Sequence, residues 1–133
     1  FWETEIASLK IANPIAKKSN LQVIENVAEV IGVHIEFIGE YPLADTPHEK
    51  ILVAAMHECL TNTVSHAGGK VMIVEVKNND SHLLIIITND GKKPNGDIVE
   101  RGGLSSLREL VENENGKMTI KSMPKFELMI DLP

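Results

Sequence analysis

The feature that most constrains the fold is the stretch 46–69, TPHEKILVAAMHECLTNTVSHAGG, because both of its ends are chemically marked. Thr46 is an N-cap residue, Pro47 suits the first helical position, and Glu49 completes a capping box with Thr46. Gly68 and Gly69 supply the left-handed residue that stops a helix. Between them Leu52, Met56, Cys59, Leu60 and Thr63 fall in one broad sector, which predicts a helix with that face in the core. Glu58, Asn62 and His66 are spaced four apart, so they form a row drifting by only about 40° per step along the sector's edge.

A carboxylate, an amide and an imidazole in file beside a buried face need a partner. Water on an ordinary helix flank is one, and polar triples at this spacing are common on helices. A metal-bound phosphate is the other. Asn62 offers a neutral oxygen, and magnesium takes one or two protein oxygens beside phosphate oxygens and water. Glu58 could then accept a proton or hold a water, and His66 could donate to a phosphate oxygen.

The rest of the chain arranges itself around this helix. Trp2, Ile6 and Leu9 suit a short amphipathic helix ending before Pro14, or the tail of an upstream one. The sequence therefore divides into an extension, 1–18, and a domain, 19–133. Ser19 and Gln22 repeat the capping-box signal, and Leu21, Ile24, Val27, Ala28 and Ile31 keep helical spacing until Gly32. Val33, Ile35 and Phe37 then alternate with His34, Glu36 and Ile38, as in a strand. After the central helix, Met72, Val74 and Val76 alternate with Ile73, Glu75 and Lys77. Asn78, Asn79 and Asp80 form a turn, and 83–88 is a nearly continuous apolar strand expected to be buried. Leu104, Leu107, Leu110 and Val111 give a third amphipathic helix closed by Asn115 and Gly116, and two last strands, 117–121 and 126–132, flank a turn at Met123 and Pro124. The economical packing is a two-layer α/β sandwich: a mixed, mostly antiparallel sheet with helices on one face.

Composition narrows the function classes. The 133 residues suffice for one domain with a real core, and a net charge of −6 argues against a nucleic-acid surface. Any anion must be held locally. No apolar run is long enough for direct membrane insertion, no signal peptide is visible, and the single Cys59 fits a reducing, cytoplasmic setting. The chain opens Phe1-Trp2 and is expected to be a piece of a longer protein. His34, His48, His57 and His82 lack zinc-ligand spacing, and neither a G-x-S-x-G elbow nor a G-x-x-x-x-G-K-[ST] loop occurs.

Two further places could carry chemistry. The long segment 89–103 has no apolar period and ends in Gly102 and Gly103, directly before the third helix. Backbone N–H groups there face an anion, with Lys92, Lys93 and Arg101 adding cations, or the glycines form a plain connector. Asn89-Asp90-Gly91, at the end of an apolar strand, is either a common turn sequence or a polar reader of a base with Gly91 beneath it.

In this order, these features resemble the catalytic ATP-binding domain of sensor histidine kinases, in the GHKL (HATPase_c) superfamily, from about Leu21 to Pro133. HECLTNTVSHA is similar to the family's N box, IITNDGKKP to the first glycine box, GGLSSLREL to the second, and KMTIKSMPKFELMIDLP to the terminal strands. The resemblance implies a Bergerat-type ATP-binding fold with ATP and Mg2+ as cofactors. Asn62 would take the metal that bridges the phosphates, Glu58 would be the catalytic residue that helps activate the accepting side chain, and His66 would stand near phosphate. Gly91 would lie under adenine, and Gly102, Gly103 and Leu104 would hinge a lid, with Lys93 and Arg101 as its basic candidates. Asn89 falls where the family has its adenine-reading Asp. Lys93 and Arg101 replace usual glycines, and Lys125-Phe126 replaces a common Gly-Thr pair.

The implied activity is transfer of the terminal phosphoryl of Mg-ATP to a histidine on a dimerisation domain, with a response regulator downstream. No histidine precedes His34, so this fragment is not expected to phosphorylate itself. Two other readings stay open: a degenerate module that senses nucleotide or docks a partner without kinase activity, and a serine kinase of the anti-sigma type.

Overall fold

The computed structural model describes residues 14–63, 70–91, 103–121 and 125–133, with side chains from Asn20 onward. The first helix, α1 (Pro14–Val30), starts ahead of the expected capping box at Ser19. Proline's fixed φ and missing N–H suit a first helical turn, so Pro14 can open this helix; the helix expected over Trp2, Ile6 and Leu9 lies outside the described residues. Ile24 and Ala28 turn inward, while Val23, Val27, Val30 and Ile31 stay exposed. Gly32, at φ 87°, takes the left-handed stop.

The strand β1 (His34–Gly39) follows, then the central helix α2 (Pro47–Asn62). The sector expected to face the core does so: Leu52, Met56, Cys59, Leu60 and Thr63 are all buried. Full burial of one such aliphatic side chain contributes about 1.5–3 kcal/mol. The expected stop at Gly68 and Gly69 lies outside the described residues.

Two strands come next, β2 (Val71–Asn79) and β3 (His82–Asn89), then α3 (Gly103–Asn113), β4 (Lys117–Lys121) and β5 (Glu127–Leu132). The five strands form one sheet in the order β1-β2-β3-β5-β4. β1 runs parallel to β2, and the other pairs are antiparallel. The reversal between β2 and β3 falls on Asp80 and Ser81, both at positive φ (47° and 65°), one residue later than the Asn-rich reading placed it. Two consecutive positive φ values match the right-handed twist of paired strands.

β3 corrects a second expectation. Leu83, Ile85, Ile87 and Asn89 are buried, but Leu84, Ile86 and Thr88 between them are half-buried. The helices cover one face of the sheet only, so the strand alternates in burial although its sequence hardly alternates in polarity. α2 lies over β2 and β3, with α1 and α3 packed against it. The two-layer α/β sandwich is the architecture observed.

Chain continuity fixes which ends of these elements meet. α2 finishes at Asn62 and β2 begins at Val71, so the C-terminal end of the helix and the start of β2 share one edge of the molecule. Antiparallel pairing of Met72 with Asn89 brings the C-terminal end of β3 to that same edge.

Candidate functional site

The edge so defined gathers three chemistries. On α2, Glu58 and Asn62 are both half-buried, one turn apart on the flank of the buried face. The Asn62 amide makes no hydrogen bond among the described residues, so it is available to a ligand. Glu58 reaches across to α3: a Cβ built on Gly103 would lie 1.9 Å from a Glu58 carboxylate oxygen. Any side chain there would have to push the Glu58 carboxylate aside. A carboxylate thus stands against the first residue of α3, where unpaired N–H groups and the helix dipole favour negative charge. The same ground suits a phosphate.

At the end of β3, Asn89 shares the helix-facing side with Leu83, Ile85 and Ile87 and is only 3 % exposed. Its Oδ1 accepts a hydrogen bond from the Gly91 N–H at 2.9 Å, the Asx turn that Asn-Asp-Gly foretells. Its Nδ2 is buried with no partner among the described residues. An unmet buried donor costs about 1–3 kcal/mol, so a ligand that offered it an acceptor would be favoured.

The neighbouring acid is spent differently. Asp90 Oδ1 accepts from the backbone N–H groups of Lys70 (2.7 Å) and Val71 (2.9 Å), and the Asp90 N–H returns a bond to Val71 O. These donors hold the Asp90 carboxyl below its ordinary pKa, that of Val71 contributing most. Asp90 pins the entry to β2, which leaves Asn89 alone to face the helices.

Sequence reasoning missed one polar centre. Thr46 does cap α2, accepting from Glu49 N at 3.2 Å. The Glu49 carboxylate, though, does not return to Thr46. Oε1 accepts from Asp45 N (2.8 Å), and Oε2 from Tyr41 Oη (2.8 Å) and Asn20 Nδ2 (2.9 Å). Burial by itself raises the Glu49 pKa, yet the bonds from Asn20, Asp45 N–H and Tyr41 outweigh it and leave the pKa below the usual value. Burial, and then the bond to Glu49, pushes the Tyr41 phenol up. Nothing in the local sequence links Asn20 to Glu49; only the packing of α1 on α2 does. An open cleft of about 550 Å3 lies here, lined by Asn20, Asp45, Glu49, Lys50 and Glu114 among others. Three carboxylates against one lysine make it a poor host for a polyphosphate.

Of the other residues marked in the sequence, Leu104 is half-buried on the first turn of α3 and Gly91 is half-buried beside Asn89. His66, Lys92, Lys93, Arg101 and Gly102 lie outside the described residues. Cys59 is fully buried, and burial pushes its thiol pKa up, which fits a core residue. Phe126 is buried in the core, and Lys125 before it is exposed. Among the described residues no three His, Cys, Asp or Glu side chains gather to hold a metal, and no helix is long and apolar enough to cross a membrane.

This fold is the one found in histidine kinase domains. The histidine kinase domain of the blue-light activated histidine kinase of Erythrobacter litoralis EL346 superposes with a TM-score of 0.66 at 16% identity, over 83% of this chain and 58% of that one. The histidine kinase AdeS of Acinetobacter baumannii gives 0.64 at 12% identity, over 86% of this chain and 63% of that one. In sequence, the chain is 28% identical over 114 residues to the sensor histidine kinase YxjM of Bacillus subtilis (strain 168). That alignment takes in 83% of this chain but 28% of the relative, so the chain spans a little over a quarter of it. No family model matches. The similarity to sensor histidine kinases read from HECLTNTVSHA and the segments after it is thus met again in both comparisons.

Proposed function

We propose that this domain binds Mg-ATP and presents its terminal phosphoryl group to a histidine on a dimerisation domain elsewhere in the parent protein. The observation that carries the reading is the meeting of α2 and α3: the Asn62 amide, without a hydrogen bond among the described residues, stands one turn beyond a carboxylate that touches the start of α3. The residues fit the cofactors, since a free amide oxygen suits magnesium, a helix N-terminus suits phosphate, and a buried unpaired amide suits a base. Magnesium, when bound, neutralises charge on the phosphates and draws electron density from the bond to be broken.

The chain's own part is mostly positioning. Asn62 would hold the cation, and the backbone of Gly103 and Leu104 would orient phosphate oxygens. The Glu58 carboxylate would accept the proton of the incoming imidazole, helping to make it a nucleophile. Phosphoryl transfer asks little covalent chemistry of a protein, so orientation and charge supply most of the acceleration. The partners would be the domain that carries the histidine and, after it, a response regulator; the setting would be the cytoplasm.

Titration with a fluorescent ATP analogue, with and without Mg2+, tests the reading. Saturable, magnesium-dependent binding is expected. No saturable binding at millimolar ligand would favour the degenerate module, for which the exchange of Asp for Asn89 is the specific argument.

A further inference from the structure

We propose that the uncovered face of the sheet is a contact between two copies of this chain, related by a two-fold axis that runs along the strands over β3. The face lies opposite the helices that carry Glu58 and Gly103, so the pairing does not rest on the nucleotide reading.

Alternation along each strand defines the face. Leu84, Ile86 and Thr88 of β3 are half-buried although no described element covers them. In register beside them stand Ile73 of β2 and Met129 of β5, both half-buried too. Charge rings this apolar centre, with Glu36 and Lys77 on the β1 side and Lys117, Lys121 and Asp131 on the β4 side. An apolar centre with a charged rim is the anatomy of a protein–protein contact. Five strands at about 4.8 Å spacing and about 3.3 Å per residue span roughly 500 Å2, so two such faces bury roughly 1,000 Å2, the low end for a specific interface.

The cross-strand register then selects the symmetry. One row across the sheet, from β1 to β4, is Glu36, Ile73, Thr88, Glu127 and Lys121. The next is Ile38, Glu75, Ile86, Met129 and Thr119, and the third runs Lys77, Leu84, Asp131 and Lys117. A two-fold axis along β3 keeps each row and reverses it, so β1 lies over β4 of the second copy and β2 over its β5. Glu36 then faces Lys121 of the second copy, and Lys77 faces Asp131 of the second copy. Leu84, Ile86 and Thr88 meet their own equivalents on the axis. Lys77 and Asp131 keep their neighbours within the chain, Glu75 at 3.4 Å and His82 at 2.8 Å. The other in-plane two-fold, across the strands, sets Glu75 against Glu75, Glu127 against Asp131 and Lys117 against Lys121. Each of these is a like-charge contact, so electrostatics rejects that arrangement. Two chains of net charge −6 repel at a distance, which leaves the local match to orient them.

Sedimentation velocity of the chain as it stands, from about 1 to 500 µM, reads the association, and half-dimerisation at about 10–100 µM is expected for an interface of this size. Ile86→Glu sets two carboxylates against each other on the axis and should weaken the dimer at least about tenfold. Glu36→Lys and Lys121→Glu should each weaken it about fivefold. An equimolar mixture of those two variants should associate within about twofold of wild type, since each lysine again meets a glutamate. Glu36 and Lys121 stand at opposite edges of one sheet, about 19 Å apart at the usual strand spacing, so no contact within a single chain can give that rescue. If Ile86→Glu does not fold, the mixture still decides. A chain that stays monomeric at about 500 µM, or a dimer that the mixture fails to restore, would overturn the inference. So would loss of the dimer in Val27→Glu, on the exposed side of α1, with Ile86→Glu unaffected; the contact would then belong to that helix.

Discussion

Asn62→Ala separates a ligand residue from a structural one, because the two roles predict opposite outcomes. Asn62 is the last residue of α2, half-buried, with a side chain that makes no hydrogen bond among the described residues. Truncation therefore breaks no bond to the described residues. Alanine is the better helix former, by at most about 0.7 kcal/mol in a helix interior and less at an end. In a domain of this size about 1 kcal/mol moves Tm by roughly 3–5 °C, so the expected change is within about 2 °C of wild type. Binding should respond far more strongly. Loss of one oxygen that holds a charged group costs about 1.5–3 kcal/mol, which is roughly 10- to 150-fold in affinity. That loss should appear only with Mg2+ present; without it, wild type and variant should agree within about twofold. Thermal melts and the fluorescent-nucleotide titration, run on the same samples, read both quantities. A fall in Tm beyond about 8 °C would make Asn62 structural. Unchanged magnesium-dependent binding would take the cation away from it.

Three other perturbations follow from the same edge and from the far end of α2. Glu58→Gln should bind Mg-ATP about fivefold more tightly, since a charge at the α3 N-terminus no longer opposes phosphate, an effect of about 1 kcal/mol; phosphoryl transfer by the parent kinase should fall by about 10²-fold or more, as expected when a general base is lost, and both are read by binding and by phosphohistidine formation. Glu49 has a folded pKa below its ordinary value, so its stabilising effect is complete above the usual glutamate pKa of about 4.3 and is lost as pH falls through the folded value; the Tm difference between wild type and Glu49→Gln should be full above about pH 5 and shrink below it, and a difference that grows on acidification would contradict the network. Asp90→Ala should lower Tm through the entry to β2, while leaving the affinity for the fluorescent nucleotide within about twofold of wild type; a larger loss would place Asp90 in the nucleotide site.

What could be read from the sequence here follows from how local each signal is. Thr46 and Pro47 act within one turn of helix, and the side of α2 that faces the core follows from a period of 3.6 residues, so both were legible, whereas the reciprocal bond expected of the Glu49 carboxylate did not form. The start of α1 was misplaced because Ser19 and Gln22 form a capping box as good as that of Thr46, while Pro14 competes for the same role nearer the terminus. The burial of β3 was overstated because Leu84 and Ile86 are apolar on a face that no helix covers. The Glu49 network was invisible, since Asn20 and Glu49 lie 29 residues apart and meet only through the packing of α1 on α2. Contacts at long sequence separation carry no local signature.

The candidate site divides along the same line. The row of Glu58 and Asn62 could be drawn from spacing, but spacing could not say that the Glu58 carboxylate would stand at the start of another helix. Contact with Gly103 turns a weak glycine signal into a constraint: any side chain there would have to displace the carboxylate. The glycine lets the Glu58 carboxylate lie against the start of α3 before any ligand is considered. A phosphate that approached the α3 N-terminus would find a negative charge already present, so binding and proton acceptance compete for one position. That competition is why Glu58→Gln should strengthen nucleotide binding while it weakens transfer. A carboxylate that served only to cap α3 would predict the other pattern, lower stability with no gain in affinity.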